Sequence, residues 1–216
     1  MLQKLLLALM TVLGLYYIFF LETIHESFIM VFKLLPMILI ILLAIISKAE
    51  NIIPYKTLLI LGLIFCAFGD YTLQWFVIGL LCFLIGHLFY IRAFLTAKVT
   101  AAPLWMTICL IIYGGFMLFW IGGSLIQAEE TILAIAVAVY MIVILVMGWS
   151  SFRAGSKFAF TGALLFIISD SILAIDHFLF PVEYSHQLIM LTYYSAQVFI
   201  ALSIPKYSAI QSEVLQ

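Results

Sequence analysis

Eight runs of apolar residues, at 4–21, 28–46, 57–74, 77–95, 104–126, 131–149, 158–176 and 187–204, divide the chain, with short polar segments between them. Each is near the roughly 20 residues that a helix needs to cross a bilayer. Lipid offers no partner for backbone N–H and C=O groups, so apolar runs of this length satisfy those groups internally, as helices. The pattern therefore predicts an all-α polytopic membrane bundle of about eight transmembrane helices. Composition agrees: 67% of the 216 residues are hydrophobic and 9% charged, too few to coat a soluble domain. Nothing reads as a linker or low-complexity segment, so residues 1–216 are expected to form a single integral membrane domain.

The basic residues test the span count. Lys4, the Lys48 and Lys56 pair, the Arg92 and Lys98 pair, the Arg153 and Lys157 pair and Lys206 fall at alternate span ends, while "ETIHES", "YTLQ", "QAEE" and "DHFLFPVEYSHQ" carry none. The positive-inside rule then places both termini in the cytoplasm, in the inner membrane if the source is bacterial. The first run resembles a signal peptide in outline, but no A-x-A-like site precedes "ETIHES", so it reads as a retained span. A net charge of -1 without a basic cluster argues against nucleic acid as a partner. Cys66, Cys82 and Cys109 lie in separate apolar runs and are expected to pack as small apolar residues.

Against this background Lys33, Asp70 and Asp170 stand out. An ionisable group near a helix centre costs about 2.5 to 3.5 kcal/mol on insertion scales, so the three together cost of order 8 to 10 kcal/mol. That expense calls for a wet cavity or a mutual arrangement. At about 1.5 Å per helical residue, Asp70 and Asp170 lie at similar levels in the outer half of the membrane. Lys33, His87, Tyr90, Tyr194 and Gln197 fall in the same slab, which predicts a polar pocket between the outer half and the midplane. "GDYTL" (69–73) and "SDSIL" (169–173) also end outward-running spans, and the following spans carry His87 with Tyr90 and Tyr194 with Gln197. A parallel repeat of four helices is thus possible, and Gly62, Cys66 and Gly69 are expected to form a close-packing face.

Blander readings compete at each position. Asp70 could cap the next helix, Lys33 could extend toward the outer interface, and His87 could be a bonded core histidine. Tyr90, Tyr193, Tyr194 and Gln197 suit interhelical hydrogen bonds, and Ser169 suits a bond to its own helix. His177 and His186 with Asp176, Glu183 or Asp170 raise a metal site, yet their spacing matches no ligand motif and no metal is assigned. No G-x-S-x-G marks a serine hydrolase.

Taken in order, "KLLPM" (33–37), "GDYTL", "GLLCFLIGHLFYIRAF" (79–94), "GALLFIISDSILA" (162–174) and "TYYSAQVFIA" (192–201) resemble the signature segments of the YhhN-like lysoplasmalogenase family, whose eukaryotic members are called transmembrane protein 86. Its lysine segment is expected to hold Lys-Pro adjacent, whereas Leu34 and Leu35 intervene before Pro36 here. The resemblance implies an ether hydrolase that cleaves the vinyl ether of a lysoplasmalogen to a fatty aldehyde and glycerophosphoethanolamine or glycerophosphocholine. It implies a lysophospholipid substrate, membrane lipids as surroundings and no cofactor.

The residues fit such chemistry on their own terms. A vinyl ether resists hydroxide and yields to a proton delivered to the carbon beta to oxygen. The oxocarbenium ion then takes water, and the hemiacetal collapses. Two carboxyl groups can divide the work: one holds the proton, the other remains charged, stabilises the cation and activates water. Asp170 is assigned as acid and Asp70 as base or stabiliser. Lys33 suits a head-group phosphate or the ionised carboxylate, and His87, Tyr90, Tyr194 and Gln197 orient water and the aspartates. The rivals are a proton-coupled transporter, disfavoured by the absence of a broken helix pair, a metal-dependent lipid hydrolase, and a structural subunit that leaves the buried charges unexplained.

Overall fold

Every apolar run becomes one helix, in order α1 (Leu2–Phe19), α2 (Glu26–Ile46), α3 (Ile53–Thr72), α4 (Phe76–Thr96), α5 (Leu104–Gln127), α6 (Thr131–Arg153), α7 (Lys157–Phe178) and α8 (Ser185–Val214). The computed structural model describes residues 1–48, 52–97 and 100–214, without the side chains of 206 and 208–214. Lys98 and the side chain of Lys206 lie outside the described residues. All eight helices are long and apolar enough to span a membrane. The protein is an integral, multi-pass helical membrane protein.

Helix ends fall within a few residues of the expected positions, except that α8 runs ten residues past the expected end at 204. The bilayer-length part of α8 ends at Pro205. The turns follow local chemistry. Gly155, just past the end of α6, takes a left-handed φ of +71°, which lets the chain reverse into α7 at no steric cost. Ser156 then caps α7 by accepting from the N–H of Ala159 at 3.4 Å. At the end of α2, Lys56 Nζ donates to the carbonyls of Ile45 and Ser47 at 2.6 and 2.8 Å, so a basic residue meets the negative end of that helix.

α8 touches α1, α2, α3 and α7, while α6 touches α4, α5 and α7. The tightest pairings are α3 with α4 and α7 with α8, and both depend on glycine. A Cβ on Gly62 would stand 2.3 Å from the Tyr90 ring and 3.1 Å from the Gly86 carbonyl; one on Gly162 would stand 2.8 Å from the Ala196 carbonyl and from Ile200. Backbones this close gain dispersion contacts that lipid cannot replace. Cys66 lies in the first seam, 2.9 Å from where a Cβ on Gly86 would be, so the expected face of Gly62, Cys66 and Gly69 is a packing face. Cys66 is buried as expected, Cys82 is half-buried and Cys109 is exposed on the bundle exterior.

The two seams share a register. Gly62 and Gly162 each precede an aspartate by eight residues, and each meets a pair four apart on the next helix, Gly86 with Tyr90 or Ala196 with Ile200. The offsets are 100 residues between α3 and α7 and 110 between α4 and α8. This register places His87 opposite Gln197 and Phe83 opposite Tyr193. It corrects the sequence-based match of the pair His87 and Tyr90 to the pair Tyr194 and Gln197, because backbone contact, not short polar similarity, sets the alignment.

Candidate active site

Asp170 lies on α7, eight residues before the helix end at Phe178. Its Oδ2 accepts a hydrogen bond from the Tyr140 hydroxyl of α6. The next residue, Ser171, shares a hydrogen bond with Tyr113 of α5 and donates to the Ile167 carbonyl at 2.5 Å. The Asp170–Tyr140 and Ser171–Tyr113 pairs face a narrow cavity of about 60 Å³ between α4, α5, α6 and α7, walled by Phe83, Met117, Met141, Ile144 and Phe178 among others. Along α7 the cavity extends from Ile167 to Phe178, about 16 Å at 1.5 Å per residue. Asp170 is the acidic residue in its wall, and it is half-buried.

Asp70 has a different setting. It is 3% exposed, two residues from the end of α3, and does not line that cavity. Tyr193 of α8 donates its hydroxyl to Asp70 Oδ2 at 2.7 Å. Lys33 Nζ donates to the main-chain carbonyl of Asp70 at 3.0 Å, one of the carbonyls a helix end leaves unpaired. Tyr194 in turn donates to the Lys33 carbonyl at 2.7 Å, tying α8 to α2. Lys33 thus places a cation beside Asp70, with its hydrogen bond going to the backbone.

The two carboxyl groups are linked by rings. Tyr193 packs on Phe166 at 5.4 Å between centroids, Phe166 on His87 at 4.5 Å, and His87 on Tyr140 at 5.4 Å, all edge to face. Phe83, a cavity residue, also meets Phe166 and Tyr193 at 6.3 and 6.0 Å. His87 is fully buried, and neither ring nitrogen has a hydrogen-bond partner. It is not the bonded core histidine of the bland reading. Tyr90 donates to Gln197 Oε1 at 2.7 Å, and the Gln197 amide Nε2 is unpaired.

The expected residues therefore divide into three neighbouring groups around His87. Asp170 faces the cavity; Asp70, Lys33 and Tyr194 form a closed polar group behind it; Tyr90 and Gln197 lie between helices α4 and α8. The other candidate ligands sit apart. His177 is exposed and stacks on Phe76 at 4.3 Å, His186 packs edge to face on Tyr17 at 5.2 Å, and Asp176 accepts from the N–H of Val182 at 2.8 Å in the loop before α8. Among the described residues no three His, Cys, Asp or Glu side chains come together as a ligand set. Ser169 bonds across to the Ile189 carbonyl of α8 at 3.0 Å, not within its own helix, because the α7–α8 seam brings that carbonyl within reach.

Tyr140 was not singled out from the sequence. Its signal was there: it is the lone tyrosine of α6, in the stretch "ILAIAVAVYMIVILVM". Tyr113 and Ser171 were missed in the same way.

A family profile described as the YhhN family matches residues 28–204. The chain belongs to the YhhN family. The matched segment contains Lys33, Asp70, His87, Tyr90, Asp170, Tyr194 and Gln197. Among similar curated proteins, Lysoplasmalogenase TMEM86A of Bos taurus and that of Homo sapiens are each 38% identical over 165 residues, 69% of this chain and 66% of the relative. Lysoplasmalogenase TMEM86B of Homo sapiens is 34% identical over 152 residues, 69% of this chain and 64% of the relative. The chain thus spans just under two thirds of the length of these relatives. No solved structure matches the chain.

Proposed function

We propose that the protein is a lysoplasmalogenase: it hydrolyses the vinyl ether bond of a lysoplasmalogen to a fatty aldehyde and a glycerophosphoalcohol. The observation that carries this reading is Asp170, a carboxyl group held by Tyr140 in the wall of an otherwise apolar cavity. An apolar cavity suits an alkenyl chain, and the carboxyl group supplies what a vinyl ether needs, a proton at carbon. The relatives named lysoplasmalogenase support the substrate class.

In this reading protonated Asp170 gives its proton to the beta carbon and the C=C π pair forms the new C–H bond. The cation that results is shared between the alpha carbon and the ether oxygen, next to the carboxylate just formed. Charge developing in a low-dielectric site is stabilised strongly by a fixed anion. Water adds to the alpha carbon, and the proton it loses passes by way of the Tyr193 hydroxyl to Asp70, which lies behind the cavity wall. The hemiacetal hydroxyl proton ends on the departing oxygen as the C–O bond breaks, leaving aldehyde and alcohol. Tyr140 orients the acid, and Tyr193 and Lys33 hold Asp70.

The test is aldehyde release by purified protein from a 1-alkenyl lysophosphatidylethanolamine, run beside the saturated ether and the ester analogue. Aldehyde is expected from the vinyl ether alone. No release from it, or equal cleavage of the ester, overturns the assignment.

A further inference from the structure

Proton bookkeeping in that mechanism leaves one step open. After one turnover Asp170 has lost a proton and Asp70 has gained one, yet the two carboxyl groups are bound to different tyrosines on different helices. Their connection runs through Tyr193, Phe166, His87 and Tyr140. Of the two residues in the middle of that series, only His87 can both take and release a proton.

The surroundings of His87 point the same way. A histidine with both nitrogens buried and unpaired is costly in a membrane interior, where no bulk water relieves it. Gln197 occupies the equivalent position on α8 in the repeat register, and its Nε2 is likewise buried and unpaired. The two are joined by Tyr90, whose ring is 6.2 Å from His87 and whose hydroxyl bonds Gln197 Oε1. Gln197 also lies four residues after Tyr193, the tyrosine that holds Asp70, on the same face of α8. Two buried side chains with unpaired polar atoms, His87 and Gln197, thus lie between the Tyr193 end and the Tyr140 end.

We propose that His87 returns the proton from Asp70 to Asp170 after each turnover, through the hydroxyls of Tyr193 and Tyr140 and solvent held on the Gln197 amide. Each hydroxyl takes one proton and gives up another, His87 accepts on one ring nitrogen and releases from the other, and the net change is one proton moved between the carboxyl groups. His87 is a proton carrier that never meets the lipid. The inference rests on the acid and base roles given above to Asp170 and Asp70.

Rapid-mixing kinetics with the 1-alkenyl lysophosphatidylethanolamine tests it. In His87→Phe the first turnover uses the proton already on Asp170, so a burst of one aldehyde per protein is expected. The steady rate then falls by about a hundredfold, the usual scale for losing a proton-transfer group. His87→Gln, which can hold water but cannot carry a proton, is expected to behave alike, and imidazole added to His87→Gly is expected to restore the steady rate. A histidine that only shapes the core yields neither a burst nor rescue. A steady rate in His87→Phe within about twofold of the parent means that Asp170 recovers its proton directly from the attacking water, and the relay is wrong. Loss of the first turnover in both His87→Phe and His87→Gln also overturns it, because His87 then serves the chemical step itself. Failure of the parent to release aldehyde overturns the functional reading instead, so the two failures are distinct.

Discussion

The two aspartate-bearing seams, α3 with α4 and α7 with α8, are built to one plan and finished differently. Each has a glycine two turns before the aspartate, in contact with the next helix at matching positions. The finish sets the chemistry. Asp70 is closed in, with Tyr193 on its carboxylate and Lys33 on its carbonyl. Asp170 has Tyr140 and then open cavity. α7 continues eight residues beyond its aspartate where α3 continues two, so helix surrounds Asp170 on its outer side and Asp70 lies beside a turn. A shared packing frame therefore leaves two carboxyl groups free to take separate roles.

Substitutions break that comparison in order of expected effect. Asp170→Asn removes the carboxyl group from the cavity wall, and aldehyde release should fall by at least about a thousandfold with expression preserved, within the range for general acid–base groups. Asp70→Asn should cost about a hundredfold by the same assay. The reverse order would move the acid to the closed site.

The tyrosines sharpen it further. A hydrogen bond to a charged group is worth about 1.5–3 kcal/mol, so Tyr140→Phe should lower turnover about tenfold or more by leaving the acid unoriented. Tyr193→Phe leaves Asp70 without its one hydroxyl donor and breaks the path by which it passes its proton on, so it should keep the first turnover and lose steady rate. Loss of the first turnover in Tyr193→Phe as well as in Tyr140→Phe would mean that the two carboxyl groups act on the lipid alike.

Packing is the smallest term. Gly162→Ala drives a methyl against the backbone carbonyl of Ala196, an overpacking cost of about 1–3 kcal/mol. Gly122→Ala on α5 meets nothing within 4 Å, so its stability should stay within about 1 kcal/mol of the parent. Thermal unfolding of the two in one detergent checks both.

Eight spans were legible because lipid enforces apolar length, and Asp70, Asp170 and Lys33 were legible because charge inside such a run is expensive. Tyr140 was not, since a tyrosine reads as one more apolar residue until its hydroxyl has a partner. The register of the repeat was hidden as well: the polar pairs of α4 and α8 suggested one alignment, and the carbonyls of Gly86 and Ala196 impose another.

Chain order and hydropathy by themselves determined the number of helices, their approximate ends except that of α8, and the identity of the buried charges, because each is a property of one segment in lipid. Only the tertiary structure decided which aspartate meets the cavity, which tyrosine holds each one and that His87 stands unpaired between them. Those facts depend on which helices touch and how close, and in a bundle where lipid is as apolar as the side chains, hydropathy does not select one helix neighbour over another.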